Sequence, residues 1–334
     1  MSEGDSYPAA PEPIKVPVAQ KHPELHHYTR WDGLEGIWKS QQLWAVRYDA
    51  LNDPTEFRHV RGPLVEAIIP FAKNYIRRKR LGLQRLNRAI IEGGGIDIVA
   101  AQEVRSYIDA IYEATEKART GDNFIVPHIT SFCTHSGDHD YERFNGLLSQ
   151  WRGYGGEESF AVVFDTARLE AMLKEEHARF EYIGAVLTEA IYADDEFNME
   201  TAFPRLTQGV GENWRSVIQN DQHNVGQHLE DLLDAAIRIK HRAFHEEREV
   251  RIVVFPVDPG YASSPYGREI KKPVKPPETF RKPHVSLFGP DLGPLPITRI
   301  IVGPSRDQDA VIEKVRKLVD DRVLVSPSST PFRP

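Results

Sequence analysis

The spacing of apolar side chains sorts the chain into helices and strands. Leu34, Ile37 and Trp38 fall at helical spacing behind Thr29 and Asp32. That S/T-x-x-D pair is an acidic relative of a capping box, so a helix is expected over about residues 30–41. Residues 63–92 are also helical in pattern, with Pro70 as a kink or boundary, and Gly93-Gly94-Gly95 breaks them off. Val104, Ile108, Ile111 and Thr115 place another helix over 101–118. Further helices are expected at 166–176, at 226–245 on the spacing of Leu229, Leu232, Leu233 and Ala236, and at 308–319. Extended sequence is read at 25–29, 43–47, 124–133, 160–164, as a pair across about 180–192, and at 249–255, 299–302 and 323–325. Residues 256–296 are rich in Pro, Gly, Lys and Ser and read as a long surface excursion.

No regular strand–helix–strand repeat emerges. The expectation is an α+β fold with a mixed, mostly antiparallel sheet. Residues 1–22 hold four prolines and read as a flexible leader, so the fold begins near residue 23. The two helical stretches at about 63–120 return to strand-like sequence at both ends. They read as a helical insertion in a single domain spanning 23–334.

Composition narrows the class. At about 150 residues per domain, 334 residues make two domains or one large one. Hydrophobic residues at 40% and charged residues at 27% exclude wholesale disorder. No run approaches the ~18 apolar residues of a membrane span. The first twenty residues lack the charged start and apolar stretch of a secretory signal. The lone cysteine, Cys133, cannot form an internal disulfide, which points to a reducing cytoplasm. The net charge of −7 argues against a simple nucleic-acid coat. It averages over a basic stretch from Lys73 to Arg88 that includes Arg77, Arg78, Lys79 and Arg80 and has no acidic residue.

The common phosphate-binding, dinucleotide-binding, serine-hydrolase and zincin motifs are all absent. Cys133 lies in an apolar strand pattern and reads as an inert buried thiol. Asp138-His139-Asp140, with His135 nearby, has metal-ligand chemistry but the spacing of no established site. More specific are polar residues at the ends of elements. His27-Tyr28-Thr29 closes a strand before a helix, and Ser149 to Gly155 sets two aromatics and Arg152 beside glycines. Glu246 to Arg251 opens a strand on which Glu247, Glu249 and Arg251 share one face and Val250, Ile252 and Val254 the other. A solvated strand edge with salt bridges would give the same pattern.

These marks carry a resemblance. His27-Tyr28-Thr29, Asn52-Asp53 with Glu56-Phe57, Gln150 to Gly155, Phe244 to Arg251, Val302-Gly303-Pro304 and Ser328 or Ser329 through Arg333 are similar to the recurring motifs of a bacterial family catalogued as a domain of unknown function. His27-x-Thr29 before a helix and Glu247-x-Glu249 opening a late strand also resemble the ADP-ribosyltransferase-like superfamily. That second resemblance implies a matching fold and NAD as substrate. The His27, Tyr28, Thr29 motif would hold the adenosine ribose. Glu249 or Glu247 would engage the nicotinamide ribose, where a carboxylate stabilises oxocarbenium charge. Arg47 or Arg152 would pair with the pyrophosphate and Trp151 or Tyr154 would stack on a base. The chain is then an NAD-dependent ADP-ribosyltransferase-like enzyme, a toxin or phage-defence effector acting on nucleic acid or protein. Arg77, Arg78, Lys79 and Arg80 would be its docking face, although a solvated helix face is the favoured account of them. The alternatives are a nucleotide-sensing or partner-binding module without turnover, and a metal-dependent nuclease using Asp138, His139, Asp140 and the Glu pair.

Overall fold

The computed structural model describes residues 16–51, 59–79, 84–120, 126–135, 140–154, 158–193, 197–219, 229–257, 268–271 and 282–331. In chain order the elements begin α1 (Val18–Lys21), β1 (Glu24–Arg30), α2 (Trp31–Ser40), β2 (Gln42–Arg47), α3 (Arg61–Lys79), α4 (Gln84–Glu92), α5 (Ile96–Thr120) and β3 (His128–Cys133). There follow α6 (Asp140–Asn145), α7 (Leu148–Tyr154), β4 (Ser159–Asp165), α8 (Thr166–Arg179), β5 (Tyr182–Glu189), β6 (Ile191–Ala193), α9 (Met199–Ala202) and α10 (Pro204–Ile218). The chain ends with α11 (Leu229–Arg238), β7 (Ile239–His241), β8 (Glu249–Pro256), β9 (His284–Phe288), β10 (Ile297–Val302), α12 (Gln308–Leu318) and β11 (Leu324–Pro327). The described residues fall into two compact units, one within 16–54, 122–190 and 243–334, the other within 55–121 and 191–242.

The first unit is a nine-stranded sheet with the path β11-β10-β4-β1-β3-β2-β9; β8 also pairs with β3, and β5 with β8. Among the described strands of this sheet only the β10–β11 pairing is parallel. The α+β reading, with a mostly antiparallel sheet, describes this architecture. Strand β4 is nearly all apolar and buried on both faces, as befits a central strand. It pairs with β1 over the full length of β1, from Glu24 opposite Asp165 to Arg30 opposite Ser159. Period-two alternation then gives the sheet two different faces. One carries Leu25, Phe132, Phe160, Val162, Phe164, Val250, Ile252 and Val254, in one cluster with Leu34 and Ile37 of α2, Leu169 of α8 and Val315 of α12. The other carries Tyr28, Cys133, Ala161, Val163 and Ile301 with Leu147 and Trp151.

Helix α2 starts at Trp31 without a side-chain cap. The expected Thr29–Asp32 cap does not form because Thr29 still belongs to β1, opposite Phe160. Gly33 is the tight point: a Cβ there would lie 2.0 Å from Thr29 Oγ1. Gly303 has a similar role after β10. Its N–H reaches the Ser159 carbonyl at 2.8 Å, and a Cβ would lie 2.2 Å from Ser159 Oγ. Near the C-terminus, Ser328 and Ser329 close on Asn145: Ser329 N–H donates to Asn145 Oδ1 at 2.7 Å and Ser328 Oγ to the Asn145 carbonyl at 2.5 Å.

The second unit packs α3, α4, α5, α9, α10 and α11 beside a two-stranded parallel pair, β6 and β7. Trp214 of α10 is fully buried, with Phe71 and Tyr75 of α3 edge-on at 6.4 and 5.9 Å. Pro70 lies inside α3 rather than ending it. The helix expected at 226–245 stops at Arg238, because Ile239 to His241 pair with Ile191 to Ala193. The strands at 180–192 do not pair with each other: β5 joins the large sheet and β6 the small one. The expected excursion at 256–296 contains β9, paired in register with β2. No helix among the described residues is long and apolar enough to cross a membrane.

Glu176 of α8 is the most demanding buried charge of the sheet unit. Fully buried, it accepts from Lys271 Nζ at 2.6 Å, from the Tyr182 hydroxyl at 2.7 Å and from the Phe288 N–H at 3.2 Å. Glu176→Ala leaves Lys271 only the Ser286 and Phe288 carbonyls and no counter-charge, and is expected to cost about 3–5 kcal/mol in urea unfolding, with Glu176→Gln costing less. A loss below about 1 kcal/mol would contradict this account.

Candidate functional site

Strand β3 has two neighbours on one edge. β1 meets it only at His26 opposite Cys133, and β2 only at Val46 opposite Ile129 and Arg47 opposite His128. The opposite edge is paired to β8 at all six residues from His128 to Cys133. The sheet is thus split over Thr130 to Phe132, and side chains take the place of ladder bonds there. His27 Nδ1 lies 2.9 Å from the Ser131 carbonyl, and Thr130 Oγ1 donates to the Trp44 carbonyl at 2.9 Å.

The Ser131 contact fixes the chemistry of His27. A carbonyl only accepts, so Nδ1 carries the proton and Nε2 presents a lone pair. Burial pulls the imidazole pKa down, outweighing the Ser131 bond, so the ring stays neutral. Nε2 has no partner among the described residues, and the residue is half-buried. That nitrogen is a hydrogen-bond acceptor beside the split.

Glu249 lies on the far side of β3. Arg251 donates to both its oxygens, Nε to Oε1 at 2.8 Å and Nη2 to Oε2 at 3.0 Å. Glu249 is 4% exposed and Arg251 1%. By register His26, Cys133 and Glu249 form one rung, Phe132 with Val250 the next, and Ser131 with Arg251 the one after. His27 and Glu249 therefore leave their strands toward opposite faces, yet both border β3 within two rungs of Ser131. Glu247 ends a 3-10 turn over Arg242–Glu247, half-buried, and Arg248 between the two carboxylates has a left-handed φ of 41°.

A second polar group sits at the foot of β1, and sequence reading missed most of it. The Tyr28 hydroxyl accepts from the Leu147 N–H at 2.8 Å, which turns its own proton to His135 Nε2 at 2.8 Å. Burial pushes the Tyr28 phenol up, so that proton stays in place. Glu142 binds the Arg248 guanidinium and lies 3.7 Å from His135 Nδ1. Arg143 clasps Glu24 with Nε at 2.8 Å and Nη2 at 3.0 Å, and Arg299 adds a third bond at 3.0 Å. The Arg143 bond, partly opposed by burial, holds the Glu24 carboxyl below its ordinary pKa. A cavity of about 280 Å³ opens here among Lys21, Glu24, His26, His135, Asp140 and Arg143.

The other expected residues distribute as follows. Thr29 lies in β1 beside Gly33. Trp151 is 1% exposed, packs edge-on against Tyr28 at 4.9 Å and donates its indole N–H to the Asn145 carbonyl. It is a core side chain here, and the base-stacking role expected of it has no exposed ring face to use. Arg152 and Tyr154 are exposed at the end of α7, where the Tyr154 carbonyl accepts from Arg30. Arg47 is held by Asp49 through Nε at 2.6 Å and Nη2 at 2.8 Å. Arg77, Arg78 and Lys79 lie on α3 of the helical unit, with Arg77 and Lys73 paired to Asp97 of α5. Arg80, Asp138, His139 and the Asn52-Asp53, Glu56-Phe57 turn lie outside the described residues. Among the described residues no group of three or more His, Cys, Asp or Glu is placed to hold a metal ion.

Residues 150–252 match a family described as "Protein of unknown function (DUF2971)". The matched stretch runs from α7 into β8 and so includes Glu249 and Arg251, while β1 with His27 lies ahead of it. No curated protein and no solved structure matches the chain.

Two buried histidines set a pH dependence. Burial pushes His26 down to about 3 and His128 down to about 4, from 6.5. Below about pH 6.5 the unfolded chain binds protons that the native state refuses, so stability falls with pH. Between pH 7 and pH 5, His26→Gln is expected to lose about 2 kcal/mol less than wild type in urea unfolding. Equal losses would remove His26 from this account.

Proposed function

We propose that the sheet unit binds NAD at the split in β3 and acts as an ADP-ribosyltransferase-like enzyme. What supports this is the register of β3: His27 borders its split edge and Glu249 its fully paired edge, two strands far apart in sequence meeting on one. In this reading the His27 Nε2 lone pair accepts from a ribose hydroxyl. Glu249, aligned by Arg251, is the carboxylate assigned to the sugar whose bond is broken. The C–N glycosidic bond cleaves with its electron pair going to the nicotinamide nitrogen, so neutral nicotinamide leaves. The positive charge left on the sugar is stabilised by the carboxylate. A nucleophile of the target then bonds to the sugar carbon and gives up a proton.

One feature favours a second reading, a nucleotide sensor without turnover. Both oxygens of Glu249 are engaged by Arg251 and the pair is nearly inaccessible. The two readings separate in one experiment: titrate the full chain with NAD by calorimetry, and follow nicotinamide release with nucleic-acid and protein extracts as acceptors. Transferase action predicts release that falls at least about 100-fold in Glu249→Gln with NAD affinity kept. His27→Ala should weaken NAD binding about tenfold. Stoichiometric binding without release selects the sensor. No NAD binding by wild type overturns both.

A further inference from the structure

Another cavity of the sheet unit, of about 290 Å³, shares no residue with the split. It lies where the end of α2, the first turn of α8, the loop before β10 and the turn before β11 meet. Its floor is apolar. Leu295, Ile297 and Val323 are buried members of the main core, and the half-buried Trp38 packs against the same cluster. The walls are tied to one another. Gln41 has a left-handed φ of 52°, and its side chain spans two of them: Oε1 accepts from the Leu295 N–H at 2.8 Å, and Nε2 donates to the Trp38 carbonyl at 2.5 Å. The N–H of Asp165, the N-cap of α8, donates to the Pro296 carbonyl at 2.9 Å, which joins that helix to the loop before β10. A cavity held in this way needs little ordering when a ligand enters.

Two guanidinium groups and one carboxylate border the cavity. Arg322 and Asp320 neutralise each other: Nη2 lies 2.5 Å from Oδ2 and Nε 3.2 Å from either oxygen, and the Arg322 N–H donates to Oδ1 at 3.1 Å. Arg168 is different. Its backbone N–H is capped by Asp165 at 2.9 Å, but its guanidinium has no hydrogen bond or ion pair among the described residues. The polar groups of Gln41 are spent on the walls, and Thr298 Oγ1 donates to the Val163 carbonyl at 3.3 Å. An exposed arginine by itself is ordinary. Here the one uncompensated charge stands beside a floor of core side chains. The complement of that pairing is a monoanion with an apolar body. A carboxylate matches the guanidinium fork with two parallel hydrogen bonds, and a flat ring suits the indole of Trp38.

We propose that this cavity binds a small aromatic monocarboxylate, its carboxylate paired with Arg168 and its ring against Trp38. The volume lies at the lower end of ligand pockets and suits a single ring rather than a nucleotide. Phenylacetate is the probe. Acetate keeps only its charge, and phenethyl alcohol only its ring. Each is titrated into the isotope-labelled full chain while the indole N–H resonances of the five tryptophans are followed. The Trp38 resonance is assigned by its loss in Trp38→Phe. Phenylacetate should shift that resonance saturably and bind at least about tenfold more tightly than either control. Arg168→Leu, at an exposed position, should weaken phenylacetate at least about tenfold and leave phenethyl alcohol within about twofold of wild type. Arg168→Lys, which keeps the charge but loses the fork, should fall between. Thermal unfolding of each variant checks that the fold is kept. A Trp38 resonance that phenylacetate leaves unmoved in wild type overturns the proposal, as does an Arg168→Leu chain that binds phenylacetate within twofold of wild type. Neither result bears on NAD binding at the split, which the calorimetric titration tests separately.

Discussion

Two hydrogen bonds made by side chains hold the large sheet together where its backbone ladder gives out. A strand edge left unpaired at mid-sheet exposes N–H and C=O groups that require partners. The His27 bond to the Ser131 carbonyl and the Thr130 bond to the Trp44 carbonyl meet part of that demand from either side of the split. The arrangement has a chemical by-product. Satisfying Ser131 uses the Nδ1 proton of His27, which leaves the other ring nitrogen as an acceptor. The same bond that repairs the sheet thus defines the polarity of the site.

Charge is handled in the same economical way. Glu249 and Arg251 are two residues apart on one face of β8 and neutralise each other almost out of reach of water. Glu24 is shared between Arg143 and Arg299, whose guanidinium groups also lie over the Phe144 ring at 5.3 and 5.0 Å. Such pairs add little net stability, since desolvation offsets most of the attraction. Their larger effect is to fix geometry: each carboxylate is held in one orientation. Part of the basic stretch on α3 is treated likewise by Asp97, so its formal charge overstates the field it presents.

Much of the sheet was readable because its strands carry their own period. β1, β4, β8 and β10 stand where alternation or apolar runs placed them, and the face shared by Glu249 and Arg251 followed from spacing alone. What could not be read depends on partners distant in sequence. Lys240 sits in an apparent helical face but is drawn into β7 by Tyr192. β9 is five residues in a Pro- and Lys-rich stretch, and its strand character comes from pairing with β2. His135 acquires meaning only from Tyr28, 107 residues earlier. Trp151 and Trp44 look alike in sequence. Burial separates them, and burial is decided by what α7 and β9 pack against.

The order of strands in space has a cost during synthesis. β4 lies at the centre of the sheet, but one of its neighbours, β10, is made well over a hundred residues later, and β11 and the Ser328–Ser329 clasp on Asn145 come after that. Until then a nearly all-apolar strand has one edge without its native partner on the ribosome, which is the condition under which chains pair with the wrong strand or with one another. Folding dominated by such distant pairings is slow. For a chain built this way, the time between translation of β4 and arrival of β10 sets its demand on chaperones, and the yield of native protein depends on that interval as much as on the stability finally reached.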